Sequence, residues 1–212
     1  MDLYFSFMFT YIALLTTGTI CFIESMRTLN PTIRHIFNLE TCISIIAAYF
    51  YSLFVGQMKT KQIDWEEMTT FRYLDWAMTT PLMLLVLCVT LGYTIQIKVK
   101  LPVILTILLL NYAMLGLGYL GEKRYMDKQV AMITSFVTFF TMFSLIFYNY
   151  VKPKYSLSNR VLFYMYFIIW SLYGVAYVLD EIPKNILFNT LDLISKCLIG
   201  IGLWIYFTKI VV

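Results

Sequence analysis

Apolar residues gather in seven runs, roughly 3–26, 34–57, 70–91, 101–120, 127–150, 161–180 and 186–208, with short polar stretches between them. At about 1.5 Å per residue, each run can cross the ~30 Å hydrocarbon core of a bilayer as a helix. Connections this short make consecutive helices antiparallel neighbours. The expected fold class is an all-α membrane protein, a seven-transmembrane-helix bundle, in a single domain over residues 1–212. The first run begins almost at Met1, with no basic leader or small-residue cleavage site, and reads as a retained span.

Composition agrees. The chain is 60% hydrophobic and 13% charged, with a mean hydropathy of +0.76, whereas a soluble domain carries about 25% charged residues. An integral, multi-pass membrane protein is expected. Cys21, Cys42, Cys88 and Cys197 all lie in apolar runs and read as small hydrophobes. Asn30-Pro31-Thr32 is no glycosylation acceptor, because proline fills its middle position. With the N-terminus outside, eight basic residues face the cytoplasm: Arg27, Arg34, Lys98, Lys100, Lys152, Lys154, Arg160 and Lys209. Six face outward: Lys59, Lys61, Lys123, Arg124, Lys128 and Lys184. Eight against six favours an outside N-terminus and a cytoplasmic C-terminus.

Six charged residues remain in or near the spans: Glu24, Glu40, Arg72, Asp75, Asp192 and Lys196. A charge at a helix centre costs roughly 2.5–3.5 kcal/mol on insertion scales, so each calls for a partner or a task. Asp192 and Lys196 are four residues apart and share a helical face, which Asn185 and Asn189 continue. One reading is an ion pair that pins the last helix to its neighbours. The other is a functional amine, since a lysine in apolar surroundings can condense with a carbonyl to form a Schiff base. Arg72, Asp75, Lys196 and Glu40 together form a line of ionisable groups across the membrane, a pattern suited to moving protons or ions.

The third run contains FRYLDWAMTTPLMLLVL, Phe71 to Leu87. Arg72, Asp75 and Thr79 share a face, with Trp76 and Thr80 on the adjacent stripe, and Pro81 is tolerated within a membrane helix. The sixth run carries Trp170-Ser171-Leu172-Tyr173, followed by Gly174 and Tyr177. An aromatic stripe alone is ordinary packing. Taken with Asp192 and Lys196, these stretches resemble the microbial (type 1) rhodopsins over essentially the whole chain, most of all the short rhodopsins of large DNA viruses. Where that family has a proline and commonly a tryptophan in its sixth helix, this chain has Gly174 and Tyr177.

The resemblance implies all-trans retinal on Lys196 as a protonated Schiff base, lined by Trp76, Thr80, Trp170, Tyr173 and Tyr177. It implies Asp75 and Asp192 as counter-charges, with Asp75 as proton acceptor and Thr79 bonded to its carboxylate. Two carboxylates against Arg72 and the Schiff base proton bring the cluster close to neutrality. Arg72 is expected to swing outward, helping a proton leave toward Asp180 or Glu181, although both acids read equally as solvated loop residues. Proton pumps of the family commonly carry a carboxylate seven residues after the threonine, and here that position is Val86. Glu40 is the carboxylate placed to substitute as internal donor, or else it forms a contact with Asn38 or Thr41.

Thr10, Thr17 and Glu24 share one face of the first helix, Glu40, Ser44 and Tyr51 one face of the second, and Asn185, Asn189 and Asp192 one of the seventh. These rows could line water as an ion path through Glu24, Thr17, Ser44 and Asn189, or form interhelical hydrogen bonds worth about 0.6 kcal/mol each. Glu24, Arg27, Arg34 and His35 would form a charged inner mouth. The expected function is light-driven ion transport, foremost outward proton transport. The alternatives are a light-gated cation channel and a sensor acting through a separate transducer. Expected partners are retinal, lipid and protons or small cations, in a homo-oligomer as in many relatives, with no nucleic acid. No nucleophile–base pair, phosphate loop or metal-ligand cluster points to an enzyme.

Overall fold

The computed structural model describes residues 2–60 and 63–209; Lys61, counted above among the outer basic residues, lies outside them. Among the described residues are seven helices long and apolar enough to span a membrane. They are α1 (Leu3–Arg27), α2 (Pro31–Thr60), α3 (Trp65–Ile95), α4 (Leu101–Glu122), α5 (Lys128–Val151), α6 (Leu157–Tyr177) and α7 (Glu181–Thr208). No strand occurs among the described residues.

Local chemistry sets the helix starts. Asn30 Oδ1 accepts from the amides of Thr32 and Ile33 at 3.0 and 3.2 Å, with Pro31 in the first helical position. Asp64 Oδ1 accepts from Glu66 and Glu67 at 2.9 and 3.0 Å, so α3 begins at Trp65 rather than near residue 70. Glu66 and Glu67 in its first turn complement the helix dipole. Asp127 caps α5 through Gln129 and Val130. α7 starts five residues before its apolar run, because Pro183 sits where first-turn amides need no intrahelical partner. Within α7, Leu193–Leu198 widens into a π turn that carries Lys196, a distortion frequent at functional sites.

The chain divides into two units, Met1–Met83 with Ile169–Val212, and Leu84–Ile168. The first has a core of Phe7, Leu14, Ala47, Ala48, Tyr51, Phe54, Met68 and Cys197. α1 and α2 approach closely in it: a Cβ on Gly18 would lie 3.0 Å from Ser44 Cβ. In the second unit, α5 and α6 interlock through phenylalanines, with ring centroids 4.6 Å apart for Phe139–Phe143 and 5.5 Å for Phe139–Phe167. There too, buried Asn159 Nδ2 donates to the carbonyls of Leu91 and Tyr150, at 2.9 and 3.3 Å. The Tyr150 carbonyl lies in the π turn that ends α5.

Candidate functional site

The site belongs to the first unit and is organised by Lys196, 1% exposed. Its Nζ donates to Asp75 Oδ2 at 2.7 Å and to Asp192 Oδ2 at 3.4 Å. A buried ammonium survives only where such contacts replace its hydration. The two carboxylates, both 0% exposed, are treated differently. Asp192 Oδ1 accepts from Tyr173 Oη at 2.6 Å and Trp76 Nε1 at 3.4 Å, and its Oδ2 accepts from Tyr51 Oη at 2.9 Å as well as from Lys196. Asp75 Oδ1, by contrast, has no hydrogen-bond partner among the described residues. Asp192 is held by donors on three helices, while Asp75 keeps open lone pairs beside the amine.

Arg72 completes the charge balance. Its Nη1 lies 3.8 Å from Asp192 Oδ2, and its Nη2 donates to Asn189 Oδ1 at 2.9 Å and to Asn185 Oδ1 at 3.0 Å. Phe54, Phe188, Phe7 and Tyr51 surround the guanidinium carbon, with centroids 4.9, 5.5, 5.6 and 5.8 Å away. That cation–π cage is the resting position from which an outward swing toward Asp180 or Glu181 would start. The guanidinium is committed to α7 asparagines, Glu181 Oε1 takes Lys184 Nζ at 2.8 Å, and Asp180 is exposed. Lys184, counted above with the outer loop, is itself buried at 2% exposure.

Thr79 corrects an expectation. Its hydroxyl donates to the Asp75 backbone carbonyl at 2.8 Å, not to the carboxylate, and Thr80 does the same to Trp76 at 2.7 Å. A threonine inside a helix finds the carbonyl one turn back already in reach. Trp170 and Tyr177 are buried as expected, and Tyr173 packs edge-on against Trp76 with centroids 5.3 Å apart. Tyr173 also grips Asp192 and shares a 3.0 Å hydrogen bond with Ser195. Sequence reasoning missed that role, although a phenol in an apolar helix must find a polar partner. Tyr51, placed only in a polar row, proves to be a ligand of Asp192, and its helical register with Ser44 was the available clue.

Part of the polar rows forms interhelical bonds. Asn189 Nδ2 donates to Ser6 Oγ at 2.8 Å, and Thr10 Oγ1 donates to the Asn189 carbonyl at 3.2 Å. Glu40 is 2% exposed, Ser44 and Thr17 are buried, and Ser44 Oγ has no partner among the described residues. Of Glu40's expected alternative contacts, Asn38 is exposed and Thr41 donates to the Phe37 carbonyl. Around the α1–α2 connection, half-buried Glu24 accepts from Trp204 Nε1 at 3.4 Å, and Arg34 donates to the Thr28 carbonyl at 2.9 Å; Arg27 and His35 are exposed.

A buried amine between two carboxylates, on a seven-helix chain, defines a retinal-protein type of site, and comparison with known proteins identifies the family. The bacteriorhodopsin-like protein family matches residues 3–210, and the chain belongs to it. The viral rhodopsin OLPVRII has a solved structure with a TM-score of 0.93 and 42% identity, covering 99% of each chain. A blue light-absorbing proteorhodopsin from Med12, 20% identical, shares the fold with a TM-score of 0.81 over 98% of this chain and 97% of its own. Bacteriorhodopsin of Halobacterium salinarum is 26% identical over 212 residues, 90% of this chain and 78% of that protein. A gamma-proteobacterial green-light absorbing proteorhodopsin is 24% identical over 151 residues, 64% of this chain. The match spans about 60% of that proteorhodopsin's length.

The protein is therefore an integral, multi-pass membrane protein of the microbial rhodopsins, which in general are light-driven transporters or photoreceptors and hold retinal through a Schiff base. The residues present fit that group. One buried amine, two carboxylates beside it, an open acceptor at Asp75 Oδ1 and buried Trp76, Trp170 and Tyr177 supply what such a cofactor needs.

Arg72→Ala is expected to lower the stability of the detergent-solubilised protein by about 3–5 kcal/mol, because it leaves two buried carboxylates against a single ammonium. Adding Asp192→Asn should cost less than the sum of the single losses. Additive losses in the double variant would show that the two charges are not coupled.

Proposed function

We propose that this protein moves protons outward across its membrane on illumination, with retinal on Lys196 and Asp75 as first proton acceptor. The observation that carries this reading is the 2.7 Å contact from Lys196 Nζ to Asp75 Oδ2, with Oδ1 of the same carboxylate open. Bound retinal would supply a light-driven isomerisation, and the Lys196 nitrogen would carry the proton. Asp75 then receives a proton at a carboxylate with free lone pairs. Asp192 remains a fixed negative charge, because Tyr173, Tyr51 and Trp76 already occupy its oxygens. Arg72 balances that charge from its aromatic cage, and Trp170 and Tyr177 would wall the cofactor.

Glu40 returns a proton from the cytoplasmic side. With Val86 unable to carry one, this buried carboxyl on α2 is the group on the inner half that can rest protonated and donate. An outside N-terminus, favoured by the eight-to-six distribution of basic residues, makes the direction outward.

Lys196→Ala is expected to abolish the visible absorption band formed with added retinal. A surviving band would remove the Schiff base from Lys196. In voltage-clamped cells supplied with retinal, the light-driven current should stay outward at every voltage. A current that reverses with the cation gradient would replace the pump with a light-gated channel along Glu24, Thr17, Ser44 and Asn189.

A further inference from the structure

We infer that Gly200 is a positioning residue for the Glu40 carboxyl: its missing side chain is the notch that seats the proton donor against α7. The inference rests on the reading of Glu40 as donor and deepens it. A Cβ built on Gly200 would lie 3.1 Å from Glu40 Oε2 and 3.8 Å from its Cδ, and 3.0 Å from Thr17 Cγ2. The carboxyl therefore lies directly against the α7 backbone, with Thr17 of α1 beside it. Gly200 follows Lys196 by four residues, just past the π turn and about one helical turn further along α7. A carboxyl reaching across from α2 is thereby held one turn inward of the amine.

The surroundings leave little freedom to absorb a methyl group at this point. Thr17 is 2% exposed. The adjacent residue, Gly18, already brings α1 to the limit of approach to α2, with 3.0 Å between its built Cβ and Ser44 Cβ. The flexible partner is the Glu40 side chain, so an alanine at Gly200 displaces the carboxyl rather than a helix. Gly202, two residues on, has nothing within 4 Å of a built Cβ. Alanine there makes the same change in helix propensity without touching the donor, which separates the notch from a general effect of glycine on α7.

The test compares Gly200→Ala, Gly202→Ala and Glu40→Gln in the retinal-loaded protein. Two quantities are followed: the rate at which the retinal nitrogen regains its proton after a flash, and the infrared C=O stretch of the Glu40 carboxyl in the unilluminated protein. That stretch is defined as the band lost in Glu40→Gln. Gly200→Ala should shift the band and slow reprotonation ~10- to 100-fold, the range expected when a reacting group is misplaced by about an ångström. Gly202→Ala should leave both unchanged, and azide, a small permeant acid, should restore the rate in Gly200→Ala. A normal band and rate in Gly200→Ala, beside a slowed Glu40→Gln, would overturn the notch and leave Glu40 as donor. A slow Gly200→Ala that azide does not restore would place the defect at the amine and overturn the notch as well. An unaltered rate in Glu40→Gln would overturn the donor reading and the notch together.

Discussion

Four charges removed from water have to neutralise one another. Lys196, Asp75, Asp192 and Arg72 are each no more than 2% exposed, and a single one left unpaired in an apolar interior would carry a desolvation penalty of several kcal/mol. The arrangement meets that constraint by pairing: the ammonium contacts both carboxylates, and the guanidinium approaches the same Asp192 oxygen, Oδ2, as the ammonium does. The position of α7 relative to α2 and α3 follows, because Tyr51, Arg72, Asp75 and Trp76 all make their polar contacts with that one helix. The π turn at Leu193–Leu198 is where α7 accommodates the lysine at the centre of this network.

In the proposed transport, unequal treatment of the two carboxylates gives the ion cluster its direction. Each donor aimed at Asp192 stabilises its charge, so it works as a fixed electrostatic post. Asp75 is bound by the amine alone through one oxygen. A proton leaving the nitrogen meets an acceptor with vacant lone pairs on one side and a fully engaged carboxylate on the other. The Arg72 cage strengthens the asymmetry. Four aromatic rings and two asparagines hold the guanidinium beside Asp192, so neutralisation of Asp192 does not depend on a mobile side chain.

Much of this was legible in the sequence. Seven apolar runs correspond to seven helices, and the Arg72–Asp75–Trp76–Thr79 stretch together with Asp192 and Lys196 pointed to the right family. What escaped was set by three-dimensional choice among partners. Thr79 has one hydroxyl proton and two acceptors on Asp75, and it is the backbone carbonyl, one turn back in the helix, that takes it. Lys184 reads as a loop cation because Pro183 and the asparagines interrupt the apolar run, yet α7 begins at Glu181 and carries it inward. Tyr173 reads as packing because its hydroxyl partner lies on another helix. The notch at Gly200 has no sequence mark at all, since its meaning depends on a glutamate 160 residues earlier in the chain.

The central claim is that the proton leaving Lys196 goes to Asp75 and not to Asp192. Time-resolved infrared spectroscopy on the retinal-loaded protein tests it most directly. Illumination should produce a new protonated-carboxyl C=O band that is shifted in frequency by Asp75→Glu and lost in Asp75→Asn. A band that persists unchanged through both substitutions would assign the proton to another carboxylate and contradict the account.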